Sequence, residues 1–230
     1  MTNVKKLVVN LIEPENKELV RHQRFISSSV AKNHIFKGQC GIKTIIKVLK
    51  KFNIIQSRMN KIIHLVDSFI CQYQKVFALR FDLHHGHQNT EDSNSILQRF
   101  LKQLKQRLQA NYKSDIKVVW SCEKCKSLHH HYHVALLLNG NKVKAPHKVY
   151  KVVRELWERI SGGIAPYIPH VHYNLVRKSD ERFWITLQAL FVRLSYLAKS
   201  ETDYRPAGGK KFSFGMSRIN PEYIDRSPAM

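Results

Sequence analysis

Trp120–Glu123 (WSCE) and His131–Leu138 (HYHVALLL) form the stretch around which this sequence is organised. Both segments have the pattern of short strands, and a polar loop separates them. Side chains alternate between the two faces of a strand, so His131 and His133 point the same way. If the strands pair as an antiparallel hairpin with Glu123 opposite His131, one carboxylate and two imidazoles meet on one face.

This polar face predicts a site for a divalent metal ion. Glu123, His131 and His133 would supply three ligands and leave coordination positions open, which is typical of catalytic metal sites. Mg²⁺ or Mn²⁺ is the expected ion.

Other ligand sets remain open. A slip of register would recruit His129, and His170-Val171-His172 offers a second histidine pair; otherwise His170 and His172 are expected to line the sheet or contact DNA. Cys122-x-x-Cys125 beside the histidines suggests structural zinc, but a closed zinc site needs four ligands and no second cysteine pair is near.

The chain is strongly basic. Its 230 residues include 39 Lys and Arg against 17 Asp and Glu, a formal net charge of +22. This balance favours a polyanionic partner, first of all nucleic acid, over a merely solvated basic surface. An apolar fraction of 43% is enough for a core, and the length predicts one domain, with room for an appended segment.

The sequence does not predict a membrane protein. No stretch approaches the ~18 to 20 uncharged apolar residues of a membrane span. Asn10 and Glu13 interrupt the short apolar run near the N-terminus, so a signal peptide is not expected. Four scattered cysteines fit a reducing compartment, and we expect a cytoplasmic protein.

Hydrophobic periodicity predicts an α+β fold with a mostly antiparallel sheet and helices packed on one face. The expected strands are 75–82, 116–123, 131–138, one around 168–176 and one within 212–218. The expected helices are a basic one from Gly41, a second over 62–70, one from Asp92 or Ser93 to Leu108, His147–Ile160, and a long one from Ser179. Before Gly41, Asn3–Ile12 suggests a strand and Glu18–Ile26 a helical turn or two.

The last predicted helix carries a second polar pair. Tyr196 and Lys199 lie three residues apart, so they share one side of a helix, away from its apolar stripe. A tyrosine beside a cation can act as a nucleophile towards phosphorus. Alone, Tyr196 would be an ordinary surface tyrosine; together with the metal face, we interpret Tyr196 and Lys199 as catalytic.

Polar residues elsewhere are candidates for DNA contact. Arg80 and Asp82 share a face of the first strand and either border the active site or form a structural ion pair. Lys102 and Lys105 lie on the outer face of a helix. The predicted DNA-binding set is Arg80, Asp82, Lys102, Lys105, His170, His172 and Arg218.

Four phrases in the chain resemble a known family. They are Phe77-Ala-Leu-Arg80-Phe-Asp82-Leu, the Trp120–Gly140 block, Ser195-Tyr-Leu-Ala-Lys199 and Phe214-Gly-Met-Ser-Arg218. Together they resemble the HUH endonucleases that start rolling-circle replication, and more narrowly the inovirus-type replication proteins and their YagK/YfjJ relatives. The likeness covers roughly residues 72 to 218, but Tyr132 stands where those enzymes have an aliphatic residue between the histidines.

The resemblance implies a ferredoxin- or RRM-like sheet and cleavage of single-stranded or origin DNA. It implies a covalent 5′-phosphotyrosine at Tyr196, with Lys199 and the metal ligands carried over. A host helicase and polymerase are the implied protein partners, in a bacterial or phage-infected cell. The division expected from it is an N-terminal arm or accessory segment at 1–40, a basic helical segment at 41–74, a nuclease domain at 75–218 and a tail at 219–230.

The sequence thus predicts a metal-dependent, site-specific DNA endonuclease and ligase that initiates replication of a phage-like or plasmid-like element. Tyr196 would attack the scissile phosphate and leave a 3′-hydroxyl for a polymerase to extend, and the reverse attack would rejoin the strand. Two other functions remain open: a non-catalytic DNA-binding replication regulator on the same fold, and a transposase of the same superfamily.

Overall fold

Strands and helices alternate along most of the described chain. The computed structural model describes residues 31–37, 43–84, 94–124, 130–162, 165–168, 173–176, 179–200 and 213–219. The strands are β1 (Ala31–Lys37), β2 (Lys43–Leu49), β3 (Lys75–His84), β4 (Ile116–Lys124), β5 (His130–Asn139), β6 (Tyr173–Val176) and β7 (Phe214–Met216). The helices are α1 (Gln56–Gln72), α2 (Ser95–Tyr112), α3 (Pro146–Ser161) and α4 (Phe183–Leu194), and a 3₁₀ helix, Ser195–Ala198, continues α4.

Five strands form one antiparallel sheet in the order β6-β3-β5-β4-β7. In the central pairing of β4 with β5, Ile116 lies opposite Leu138 and Glu123 lies opposite His131. The predicted pairing of Glu123 with His131 is therefore confirmed. The strands β1 and β2 form a separate antiparallel pair.

Helices cover both faces of the large sheet. On one face, Ala78, Val119 and Leu137 pack against α1 and α4. On the other, Leu79, Val118 and Leu136 pack against α2 and α3. The three central strands β3, β4 and β5 thus contribute alternate residues to two separate cores.

The α+β class and the antiparallel sheet are confirmed, but the expectation of helices on one face is wrong. Leu136, Leu137 and Leu138 are consecutive in β5, and all three are buried. A run of apolar residues without alternation needs cover on both sides of the sheet.

The helix expected from Gly41 is also a wrong prediction, because residues 43–49 form β2. The apolar residues at 45, 46, 48 and 49 suit either period in so short a stretch. Three of them are the β-branched Ile45, Ile46 and Val48, which favour a strand, and pairing with β1 supplies the backbone partners. Val48 is fully buried in the core beside α4.

The helix α4 begins at Phe183 rather than at Ser179. Asp180 forms a tight turn before it, with Oδ1 accepting the backbone N–H of Arg182 at 2.8 Å. A carboxylate that binds the backbone in this way competes with helix formation. At the other end, the α-helix tightens into the 3₁₀ helix, which carries Tyr196.

Other boundaries lie near those predicted. The helix α3 ends at Ser161 and is capped by Gly162, whose φ of 65° lies in the left-handed region that glycine adopts without strain. The expected strand around 168–176 is present as β6, which spans Tyr173–Val176 among the described residues of this segment. The elements expected at Asn3–Ile12 and Glu18–Ile26, and the N-cap at Asp92 or Ser93, lie outside the described residues. None of the described helices is long and apolar enough to cross a membrane.

Candidate active site

Glu123, His131 and His133 converge on the sheet face that α1 and α4 cover. One carboxylate oxygen, Glu123 Oε2, lies 3.1 Å from His131 Nε2 and 3.2 Å from His133 Nε2. The potential ligand atoms of the three residues all lie within 4.8 Å of one another. Glu123 and His133 are buried, and His131 is partly exposed. This group could hold a metal ion.

The core on the opposite face keeps these three side chains together. Cys122 and Tyr132, which alternate with the site residues, are buried against α2 and α3. The hydroxyl of Tyr132 donates a hydrogen bond to Asn94 Oδ1 at 3.0 Å. A shift of one residue would drive Tyr132 out of the core, so the register is strongly determined. Tyr132, which lies between the two histidines in the sequence, is therefore a core residue, as an aliphatic residue at this position would be.

His133 has the bonding pattern of a metal ligand. Its Nδ1 lies 2.7 Å from Asp82 Oδ1, which places the ring proton on Nδ1 and leaves the Nε2 lone pair available. His133 Nε2 is buried and lacks a hydrogen-bond partner, although it lies 3.2 Å from Glu123 Oε2. Buried polar atoms are normally bonded, so an unbonded ring nitrogen that faces a carboxylate oxygen fits a cation bound between them. The residues present therefore suit a divalent metal.

Both carboxylates of the site are ionised at neutral pH. Burial alone would raise the pKa of Glu123, but its contacts with His131, His133 and Lys199 hold that pKa far below the ordinary value of 4.5. Burial would also raise the pKa of Asp82, and His133 together with Arg80 more than offsets it, so that this pKa is lowered. A charged, desolvated carboxylate is a strong ligand for a hard cation.

Tyr196 and Lys199 meet as predicted, and Lys199 links the tyrosine to the potential metal-binding group of Glu123, His131 and His133. Lys199 Nζ donates to Tyr196 Oη at 2.8 Å and lies 2.6 Å from Glu123 Oε1 as an ion pair. The Tyr196 ring also packs edge-on against His133, with 4.7 Å between ring centroids. Lys199 is buried, which is uncommon for a lysine unless its charge is paired. The tyrosine, the lysine and the three potential ligands thus form one continuous cluster.

Arg80 and Asp82 lie inside this cluster and form an ion pair at 3.3 Å. Both interpretations of these residues therefore apply, since they border the site and are paired with each other. The Arg80 guanidinium also stacks on the Tyr196 ring, 4.2 Å from its centroid. Arg80 thereby holds Asp82 and Tyr196 from one position. Whether they contact DNA stays a prediction.

Residues 49–55, which precede α1, help to position Tyr196. Leu49 N–H donates to Ser195 Oγ at 3.0 Å, and Ile55 N–H donates to the carbonyl of Ala198 at 2.7 Å. Phe52 packs edge-on against Tyr196 at 5.4 Å. These contacts hold the 3₁₀ turn that carries Tyr196.

The sequence pattern did not predict two residues of the site, Phe52 and His84. His84 stacks on His131, with an interplanar angle of 15°, and burial together with His131 lowers the pKa of His84, which favours the neutral ring. His84 follows Asp82 by two residues, so strand alternation could have placed it on the same face. Phe52 offered no such signal, because its segment looked helical.

The remaining predicted residues lie elsewhere. Lys102 and Lys105 are on α2, across the sheet from the cluster, and Arg218 is exposed just after β7. His129, His170, His172 and Cys125 lie outside the described residues. Cys122 points away from Glu123 into the opposite core, so it cannot join the three potential ligands.

Comparison with known families gives one match. The sequence model of the YagK/YfjJ C-terminal domain matches residues 41–217, which includes every element from β2 to β7. The curated proteins and the solved structures that were compared with the chain gave no match.

Proposed function

We propose that this chain, which belongs to the YagK/YfjJ C-terminal domain family, is a DNA-nicking and rejoining enzyme of the HUH type that initiates rolling-circle replication of a phage or plasmid element. One observation carries the proposal: Lys199 contacts both Tyr196 Oη, at 2.8 Å, and Glu123 Oε1, at 2.6 Å. A potential nucleophile thus lies beside a potential metal site. The net charge of +22 supports a nucleic-acid substrate, and we propose single-stranded origin DNA.

In the proposed reaction, Tyr196 Oη forms a bond to the scissile phosphorus while the bond from phosphorus to O3′ breaks. The phenolic proton passes to water, and O3′ takes a proton from water as it leaves. The products are a 5′-phosphotyrosine and a free 3′-hydroxyl, so the phosphodiester energy is retained and the same 3′-hydroxyl can reverse the step. Such a reaction needs no nucleotide cofactor.

The chain's own residues would act as follows. The Lys199 ammonium, which donates to Tyr196 Oη, would stabilise negative charge on that oxygen as its proton leaves. Arg80 and Phe52 would hold the tyrosine ring in place from two sides. A divalent ion, Mg²⁺ or Mn²⁺, held by Glu123, His131 and His133 would polarise the scissile phosphate.

A denaturing-gel assay tests the proposal. The protein is incubated with Mn²⁺ and labelled single-stranded DNA that contains the element's origin, and a protein–DNA adduct is expected. Tyr196→Phe and a chelator should each abolish the adduct. Tyr167→Phe is the matched control, because Tyr167 is an exposed tyrosine whose backbone pairs with Asp82 next to the site.

The proposed nucleophile is wrong if Tyr167→Phe, rather than Tyr196→Phe, removes the adduct. Salt-sensitive binding to origin DNA without any adduct would favour the alternative function, a non-catalytic replication regulator. Absence of binding would contradict both functions.

A further inference from the structure

The helix α2 uses its basic residues in two different ways. Arg107 Nη2 lies 3.1 Å from Glu155 Oε2 of α3, and Arg99 Nη2 donates to the carbonyl of Ile160. Lys102 and Lys105 project from another side of the helix, and among the described residues neither forms an ion pair. The sequence of α2 contains no acidic residue that could pair with them.

These two lysines line a groove between α2 and the edge of the sheet formed by β4 and β7. The groove has a volume of about 320 Å³. Its polar lining is supplied by Gln98, Lys102, Lys105 and Ser217, and Trp120 and Met216 contribute an apolar wall. Cationic, amide and hydroxyl groups offer charge and hydrogen bonds to the phosphate oxygens of a nucleic-acid backbone.

The groove holds positive charge that the described residues leave uncompensated. Lys105 is partly buried, and burial together with the nearby Lys117 lowers its pKa. A bound anion would relieve the repulsion between these two ammonium groups and would compensate for the lost hydration of Lys105. The observed charges therefore favour a ligand with phosphate groups.

We propose that the groove between α2 and the β4–β7 edge binds the phosphodiester backbone of a single DNA strand. This inference rests on the proposed function and adds a second contact for the same substrate. The side chains of Trp120 and Glu123 lie on opposite faces of β4, so the groove and the metal-binding group are on opposite sides of the sheet. A strand that occupies both must pass from one face of the sheet to the other.

The groove is tested by binding alone, with full-length Tyr196→Phe protein in chelator, so that no cleavage is required. The probe is an oligodeoxythymidine of about 12 nucleotides, long enough to span one such site. Lys102→Ala/Lys105→Ala is compared with Lys144→Ala/Lys148→Ala, which removes the same charge from exposed positions outside the groove. Affinity is measured by fluorescence anisotropy over a series of salt concentrations.

We expect the groove variant to lose roughly 20-fold in affinity at 0.1 M salt, with a salt slope lower by about 1.4, because each phosphate contact contributes about 0.7 to that slope. The control variant should lose less than about threefold. Lys102→Glu, at an exposed position of α2, should show the same direction of change.

Equal losses in the groove and control variants would overturn the inference while leaving the proposed function intact. If the parent protein binds no DNA, the proposed function itself fails. A polyglutamate peptide of matched charge is titrated in parallel. If the peptide binds as tightly as the DNA, and if Lys102→Ala/Lys105→Ala removes this binding too, the groove serves an acidic protein partner and the nucleic-acid assignment is wrong.

Discussion

His133 connects the metal-binding group with the residues that orient it. One ring nitrogen faces Glu123, and the other lies 2.7 Å from Asp82. A carboxylate behind a histidine fixes the ring's tautomer and increases its basicity as a ligand. Asp82, predicted as a DNA contact, is thereby placed to orient His133, and Arg80 in turn orients Asp82.

Asp82→Asn should weaken metal binding. The amide would accept a hydrogen bond from His133 but lacks the negative charge, so we expect Mn²⁺ affinity to fall roughly 10- to 100-fold. Paramagnetic resonance of free Mn²⁺ during titration measures this affinity without DNA cleavage. Asp180→Asn is the matched control, since Asp180 is also paired with an arginine but lies on the surface. Equal affinities in the two variants would show that Asp82 does not orient the ligand.

His64 on α1 predicts a pH effect on stability outside the site. Burial lowers the pKa of His64 below its ordinary value of 6.5. The unfolded chain therefore binds a proton at His64 more readily than the folded chain does. His64 should not reduce the free energy of unfolding above pH 6.5, and this free energy should decrease as the pH falls below 6.5 towards the pKa of His64 in the folded state.

The His64→Gln variant should have a flatter stability profile between about pH 7 and 5. The difference is expected to be below about 1 kcal/mol, because His64 is partly exposed to solvent. Urea denaturation at several pH values measures it, with His147→Gln on the exposed start of α3 as the control. If the free energy of unfolding changes with pH in the same way for wild type and His64→Gln, the expectation is contradicted.

At the scale of elements, the short strand β7 is held by a close contact between Gly215 and the Trp120 ring. A Cβ atom at Gly215 would lie 2.6 Å from ring atoms of Trp120, whose own ring packs edge-on against Tyr132. Glycine is therefore required at Gly215 for space.

Gly215→Ala should destabilise the protein by about 1–3 kcal/mol, as expected for overpacking against a buried ring. The free energy of unfolding is measured by urea denaturation in a double-mutant cycle with Trp120→Leu. Because leucine removes the obstructing ring, the alanine should cost clearly less in that background. If the cost is the same in both backgrounds, the contact with Trp120 is not its cause.

At the scale of the whole molecule, the charge of +22 opposes the compact state. Salt screens this repulsion, since the Debye length falls from about 30 Å at 0.01 M to about 8 Å at 0.15 M. We therefore expect the melting temperature to rise as NaCl is added over this range.

The control for this prediction is the triple variant Lys142→Gln, Lys144→Gln and Lys148→Gln, which removes three exposed charges. It should melt higher than wild type at low salt and respond less to NaCl. Calorimetry measures both trends. A melting temperature that stays level or falls with salt would show that charge repulsion does not limit stability.

Much of the site could be predicted from local pattern. Strand alternation determines that His131 and His133 share a face, and the apolar residues between and after them determine which face is buried. Glu123 could be placed opposite His131 because the two strands are short and adjacent in sequence. Tyr196 and Lys199 are three residues apart, and any helical turn brings them together.

The long-range contacts could not be predicted. Local periodicity and composition were enough to predict the antiparallel hairpin, its polar face and the basic character of the chain. Tertiary packing was needed to establish that residues 43–49 form a strand, that helices cover both faces of the sheet and that Phe52 lies against Tyr196. Those outcomes depend on which distant segments pack together, and a short apolar run is compatible with several such partners until the whole core forms.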